Sequence, residues 1–174
     1  MKFATVSIIL FALGLFTCLV QALPVHSSLT RRAPKYQIQL QSATAFCSFL
    51  PPHPGDDVGA TENDGKPFCT DASLGGQVFP SGFIKSAHFA KTSTYAQVTG
   101  RIDGSKYKLN PSDGGGQYDN KDVAPTTCNG YKYFVNLIEP DANTFCIRCC
   151  KNQADCKLGI STYGCQRIVP GNYN

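Results

Sequence analysis

The sequence predicts a mainly β fold, a compact disulfide-stabilised β-sandwich or barrel with long loops, on three observations. Apolar residues alternate with period two along several short segments. The 174-residue chain carries 16 glycines and 11 prolines, which cut it into pieces too short for long helices. It also carries nine cysteines, a density typical of small proteins stapled in an oxidising compartment. With 42% hydrophobic and only 16% charged residues, a highly charged disordered chain is excluded.

The first 32 residues read as processing signals rather than fold. Residues 1–22 have the form of a secretory signal peptide: Lys2, an apolar run from Phe3 to Val20, and a cleavage-like Val20-Gln21-Ala22, with Ala22 at the cut. A membrane anchor of that length would need flanking charge, whereas Pro24 follows and no basic cluster does. Residues 23–32 read as a propeptide ending in the dibasic pair Arg31-Arg32, the type of site a kexin-like protease holds in two acidic pockets. Cleavage there leaves a single cysteine-rich β domain, 33–174, of 142 residues. Lys2, Arg31 and Arg32 depart with the leader, so 13 basic side chains face 12 acidic ones. That near-neutral balance offers no basic stripe for nucleic acid and no anchor for a membrane. The expectation is a soluble extracellular monomer.

The strands follow in order. Lys35–Gln41 alternates, with Tyr36, Ile38 and Leu40 inward, and Ala45–Leu50 is a second apolar run stopped by prolines. Residues 51–67, rich in Pro, Gly, Asp and Asn, read as a surface loop. Gly82–Phe89 and Tyr95–Ile102 read as a hairpin across Lys91-Thr92-Ser93-Thr94, with Ala96, Val98 and Ile102 on one face. Asn110–Asn120 reads as a loop centred on Gly114-Gly115-Gly116. Tyr131–Glu139 is the longest candidate strand, and Asn143–Cys150 returns after a Pro140-Asp141 turn.

Cys18 lies in the signal peptide. The remaining eight, Cys47, Cys69, Cys128, Cys146, Cys149, Cys150, Cys156 and Cys165, imply four disulfides from 105 full connectivities. Cys47 and Cys69 stand apart and are expected to pair. If Thr144–Cys150 is a strand, Cys146 and Cys150 point one way and Cys149 the other, so the adjacent pair needs different partners. A zinc site at Cys146-x-x-Cys149 with Cys150-x5-Cys156, or a redox motif at Cys146-Ile147-Arg148-Cys149, competes poorly with secretion and an even count. Neither a metal nor a cofactor is expected.

Functional signals are sparse. His53 and His88, together as acid and base or one of them with a carboxylate such as Glu62, are the histidines outside the leader available for a small hydrolase, and no spacing ties them together. Asp113 and Asp119 flank the glycines but lack the acidic ladder of a calcium loop, so a glycine turn is the better reading. Tyrosines are candidates for stacking on sugars, since each has an apolar face and a polar tip. Tyr107 and Tyr118, placed in loops, are the candidate binding residues. Tyr131 and Tyr133 alternate with Val135 and Leu137 and read as core.

One combination of segments is specific: Cys47-Ser48-Phe49-Leu50-Pro51-Pro52, Gly82–Phe89, Gln97-Val98-Thr99-Gly100, Asp113–Asp119, Gly130–Asn136 and Cys146-Ile147-Arg148-Cys149-Cys150. Across nearly all of residues 33–174 this string resembles a family of small secreted cysteine-rich fungal proteins. The resemblance implies a fungal extracellular protein and carries no activity, substrate or catalytic residue with it. The functional expectation is a non-enzymatic protein that binds a cell-wall polysaccharide or a host extracellular molecule, or acts as an effector on another organism. The alternative is the histidine hydrolase.

Overall fold

The computed structural model describes residues 34–174. The signal peptide, the propeptide and their processing residues Ala22, Arg31 and Arg32 lie outside the described residues. Among the described residues eleven strands occur: β1 Tyr36–Ile38, β2 Leu40–Ser42, β3 Ala45–Leu50, β4 Lys66–Cys69, β5 Gln77–Val78, β6 Ile84–Lys91, β7 Tyr95–Ile102, β8 Gly116–Asp119, β9 Thr126–Cys128, β10 Tyr133–Glu139 and β11 Thr144–Cys150. A five-residue helix, α1 Gly164–Ile168, is the α-helix among the described residues.

The centre is a five-stranded antiparallel sheet in the order β6-β7-β11-β10-β8. A four-stranded sheet, β2-β3-β4-β5, packs on its inner face, and β1 pairs in parallel with β9 beside them. The sheets form a sandwich; they do not close into a barrel. Aromatic rings join the layers: Phe46 stacks on Phe145 at 5.6 Å and Phe49 on Phe134 at 5.3 Å between centroids. Such pairs contribute roughly 0.5–1.5 kcal/mol each beyond the area they bury.

Alternation places Phe134, Asn136 and Ile138 on the inner face of β10, and Val135 and Leu137 on the outer face. The outer face is not left to solvent. Residues 151–174 lie across it, and Val135, Leu137, Cys146 and Cys150 form a second buried cluster with Cys156, Cys165, Ile168, Val169 and Tyr173. Side chains at alternate positions of β7 hold the last part of this segment. Gln97 Nε2 donates to the Pro170 carbonyl (2.9 Å), Thr99 Oγ1 to that of Asn172 (2.6 Å), and Arg101 Nε to that of Tyr173 (2.9 Å). Because both faces of the sheet are covered, β7, β10 and β11 lack the in–out polarity of a half-solvated strand.

The disulfides staple these layers. Cys47–Cys69 joins directly opposed positions of β3 and β4. On β11, Cys149 points inward to Cys128 of β9, while Cys146 and Cys150 point outward to Cys165 and Cys156. Separations of 22, 21 and 19 residues correspond to about 3 kcal/mol each on loop-closure grounds, and the six-residue Cys150–Cys156 loop to about 2 kcal/mol.

Three expectations need correction. The first segment breaks at Gln39: its alternation holds, with Ile38 and Leu40 buried, but β1 and β2 join different sheets. The stretch 51–67 is not loop to its end, because Lys66 and Pro67 open β4. Pro67 is tolerated opposite Phe49, whose N–H turns away from β4 and donates to Asn136 Oδ1 instead. The stretch 110–120 ends in β8, which pairs with β10 as the edge of the central sheet.

Candidate functional site

The tyrosines expected to stack on ligand are in the core. Tyr118 is fully buried on β8, tilted against Phe49 at 6.0 Å, with its hydroxyl bonded to Thr61 Oγ1 at 3.1 Å. The slot for its ring exists because residue 65 is glycine: a Cβ there would lie 2.4 Å from Tyr118 Cδ1. Tyr107 is also buried, edge-on to Phe68 at 5.2 Å, and its hydroxyl donates to the Pro51 carbonyl at 2.9 Å. Burial pushes the Tyr107 phenol up to about 12, and that of Tyr118 further up. The assignment of both as exposed binding residues is therefore corrected: neither presents a ring face to solvent.

The histidines do not assemble a catalytic pair. His53 is exposed in the loop after β3, and its backbone N–H, not its ring, donates to Asp56 Oδ2 (3.1 Å). The ring of His88, on edge strand β6, is hydrogen-bonded through Nε2 to the main-chain oxygen of Asn174 at 2.7 Å. Glu62 accepts from the Gln117 N–H at 2.9 Å. Neither ring has a carboxylate side chain as a hydrogen-bond partner among the described residues.

Asp113 and Asp119 act as turn fasteners. Asp113 accepts from the N–H groups of Gly115 (2.7 Å) and Val58 (3.0 Å). Asp119 accepts from Lys121 N–H and Gln117 Nε2, both at 2.6 Å. Glycine is required at 115, where φ is +92° and a Cβ would lie 2.0 Å from the Ile138 carbonyl oxygen.

A groove of about 570 Å³ is the candidate site instead. One wall is the extended segment Gln37–Gln41, whose alternation buries Ile38 and Leu40 and leaves Gln37, Gln39 and Gln41 exposed. The opposite wall is built by a tight turn at Asn129-Gly130, with φ of +53° and +74°. Cys128 and Tyr131 exchange backbone bonds across it at 2.9 Å, the geometry that Asn-Gly favours in a two-residue hairpin. The Asn129 side chain then acts as a surrogate strand: its Oδ1 accepts from Leu40 N–H (2.7 Å) and its Nδ2 donates to Leu40 C=O (3.0 Å). Asn-Gly between the β-branched Thr126-Thr127 and the aromatic Tyr131 is the sequence signal for this wall.

Tyr131 and Phe89, both half-buried, supply aromatic surface, and Lys91 and Thr127 complete the polar lining. Tyr131 packs on the inner core and not with Tyr133, Val135 and Leu137 as its alternation predicted, because β10 starts only at Tyr133; it also lines the groove, and Lys151 Nζ sits 5.9 Å from its ring centre. Tyr133 is half-buried and packs against the outer cluster. Amides, a hydroxyl, ring faces and one ammonium, the exposed Lys91, suit a polar ligand that carries no positive charge and exchanges hydrogen bonds and apolar contact. The lining contains no carboxylate and no histidine.

The fold and groove define a disulfide-stapled β-sandwich with an amide-lined surface cleft. Two curated proteins are similar to it in sequence. The chain is 30% identical over 155 residues to appressorium protein ROW1 of Mycosarcoma maydis, which covers 77% of the chain and 36% of that protein. It is 34% identical over 84 residues to appressorium protein ROW2 of the same fungus, covering 47% of the chain and 29% of that protein. The chain therefore spans about a third of the length of the relatives it matches. No protein-family profile matches it, and no solved structure does. These similarities, with four disulfides, fit a cysteine-rich fungal protein.

Proposed function

We propose that this chain is a secreted fungal protein that binds a neutral cell-wall polysaccharide in the glutamine-lined groove and performs no chemistry on it. The groove carries the reading: three glutamine side chains, Thr127 and the Tyr131 and Phe89 rings line one open cleft of a size that admits a sugar chain. Four disulfides and the signal-peptide pattern of residues 1–22 support an extracellular setting. An effector role on another organism is the second reading, supported by the appressorium name of both relatives, since an appressorium is where a fungus meets its host.

The test is co-sedimentation of the secreted protein with insoluble β-glucan, chitin and cellulose, with a reduced and alkylated sample as control. Gln39→Ala and Gln41→Ala alter exposed side chains and keep the fold; together with Tyr131→Ala they are expected to weaken binding at least about tenfold, or 1.4 kcal/mol. Binding indifferent to all three would remove the groove from the proposal. Binding to none of the polymers would overturn the polysaccharide reading and direct attention to a protein target. Intact mass reports on processing: a product of Ala33–Asn174 less eight hydrogens is expected, whereas one beginning at Leu23 would contradict dibasic cleavage.

A further inference from the structure

A second concave site lies away from the groove, at the end of the central sheet where β8 and β10 meet the turn before α1. Its volume is about 330 Å³, and Gly114, Gly115, Gly116 and Gly164 form much of its wall. Leu137, Glu139, Ser161 and Thr162 complete it. Its narrowness depends on glycine, since a Cβ at Gly164 would meet Glu139 Oε1 at 2.6 Å and one at Gly116 would meet the Gly59 backbone at 2.8 Å.

Glu139 is the charged group in this wall. Its Oε1 accepts from the Cys165 N–H at 2.9 Å, which fixes the carboxylate beneath the turn. Among the described residues, Oε2 has no hydrogen-bond partner, and no basic side chain lies within ion-pair distance of either oxygen. Arg101, two strands away, is bound to the Tyr173 and Ala142 carbonyls and Thr144. The other ionisable groups that act on Glu139 are Asp141 and the Tyr173 phenol, and neither supplies positive charge. Burial, with a further push from Asp141, raises the Glu139 carboxyl above its ordinary value. A half-buried carboxylate without a counter-ion gains when a cation enters beside it. Beside the pocket stands Tyr163, 59% exposed, with the Arg167 guanidinium 5.2 Å from its ring centre. An exposed ring next to two hydroxyls and a carboxylate is an arrangement for a ligand with a sugar-like body and an ammonium group.

We propose that this pocket binds an amino sugar, with Glu139 as counter-ion to the ammonium group, Ser161 and Thr162 bonded to ring hydroxyls, and Tyr163 against the sugar face. The site is separate from the glutamine groove and stands whether or not the groove holds a neutral polymer.

Isothermal titration of the secreted protein, with the groove silenced by Gln39→Ala, Gln41→Ala and Tyr131→Ala, against a glucosamine hexamer, an N-acetylglucosamine hexamer and a glucose hexamer tests it. Binding of the glucosamine hexamer at least about tenfold tighter than the other two is expected. Glu139→Gln retains an oxygen for the Cys165 N–H but removes the charge, and should abolish that preference. Gly114→Leu places a side chain where a Cβ meets nothing within 4 Å, so the variant should fold and obstruct the pocket. Asn152→Ala, at an exposed position outside both sites, should leave glucosamine binding unchanged. In wild type, affinity should fall as pH drops through the raised Glu139 value and again as the amine deprotonates. Equal affinity for the three hexamers, or a preference that survives Glu139→Gln in a variant with wild-type melting temperature, would overturn the proposal.

Discussion

Asn136 interrupts the apolar run of β10, Tyr133–Glu139, and its removal should be among the most damaging single changes outside the cysteines. The residue is fully buried on the inner face of β10. Its Oδ1 accepts from Ser48 Oγ at 2.9 Å and Phe49 N–H at 2.5 Å. It thereby serves β3 beyond the end of its pairing with β2 and ties the two sheets. Asn136→Ala leaves the Phe49 N–H and the Ser48 hydroxyl without an acceptor in a dry layer, at about 1–3 kcal/mol per orphaned group. Part of this is returned, because Asn136 Nδ2 is itself buried without a partner and would disappear. The net expectation is a loss of about 2–4 kcal/mol, or roughly 6–14 °C in melting temperature for a domain of this size. Differential scanning calorimetry of the oxidised protein measures it, with Asn152→Ala at an exposed position as the control. A double-mutant cycle with Ser48→Ala should return a coupling of about 0.5–3 kcal/mol. A fall below 2 °C for Asn136→Ala, or no coupling to Ser48, would refute the claim that this side chain joins the layers.

Other positions give independent tests. Gly65→Ala sets a Cβ 2.4 Å from the Tyr118 ring, so overpacking should cost about 1–3 kcal/mol in urea unfolding, and a neutral result would contradict the slot. Replacing both Cys128 and Cys149 by Ser should lower stability more than replacing Cys150 and Cys156, because the first pair closes a 21-residue loop and the second a 6-residue one. Urea midpoints in the opposite order would show that strain or local packing outweighs loop entropy. Glu139 has a folded-state value raised by burial, so the folded protein holds its proton more tightly than the unfolded chain. Its contribution to stability should therefore be fullest below the ordinary carboxylate range and decline as pH rises through the raised value. Glu139→Gln should flatten that part of the stability–pH curve; an unchanged slope would place the titration elsewhere.

Elements whose signal is local were legible in advance. The β6–β7 and β10–β11 hairpins follow from alternation and turn residues, and the outward and inward assignment of Cys146, Cys150 and Cys149 follows from period two alone. Elements whose signal depends on a distant partner were not. β4 begins Lys66-Pro67, and proline argues against a strand until a neighbour such as Asn136 serves the amide opposite it. β8 reads as the tail of a glycine loop because its four residues acquire strand character only by pairing with β10. Tyr118 adjoins three glycines and reads as exposed, yet the glycine that matters is Gly65, far away in sequence. The groove was missed for a related reason: Gln37, Gln39 and Gln41 were the solvent side of a strand, and only the Asn129-Gly130 turn opposite makes that side a wall.

The amino-acid sequence by itself determined that the chain is mainly β and rich in disulfide-forming cysteines, because backbone alternation and cysteine count are properties of short windows and simple totals. The tertiary structure decided which faces are covered. Residues 151–174 seal the outer face of the central sheet, the second sheet seals the inner one, and the groove and the glycine pocket are among the clefts left open. Burial and cavities arise from contacts between segments distant along the chain, and no periodicity within one segment records which partner will lie against it.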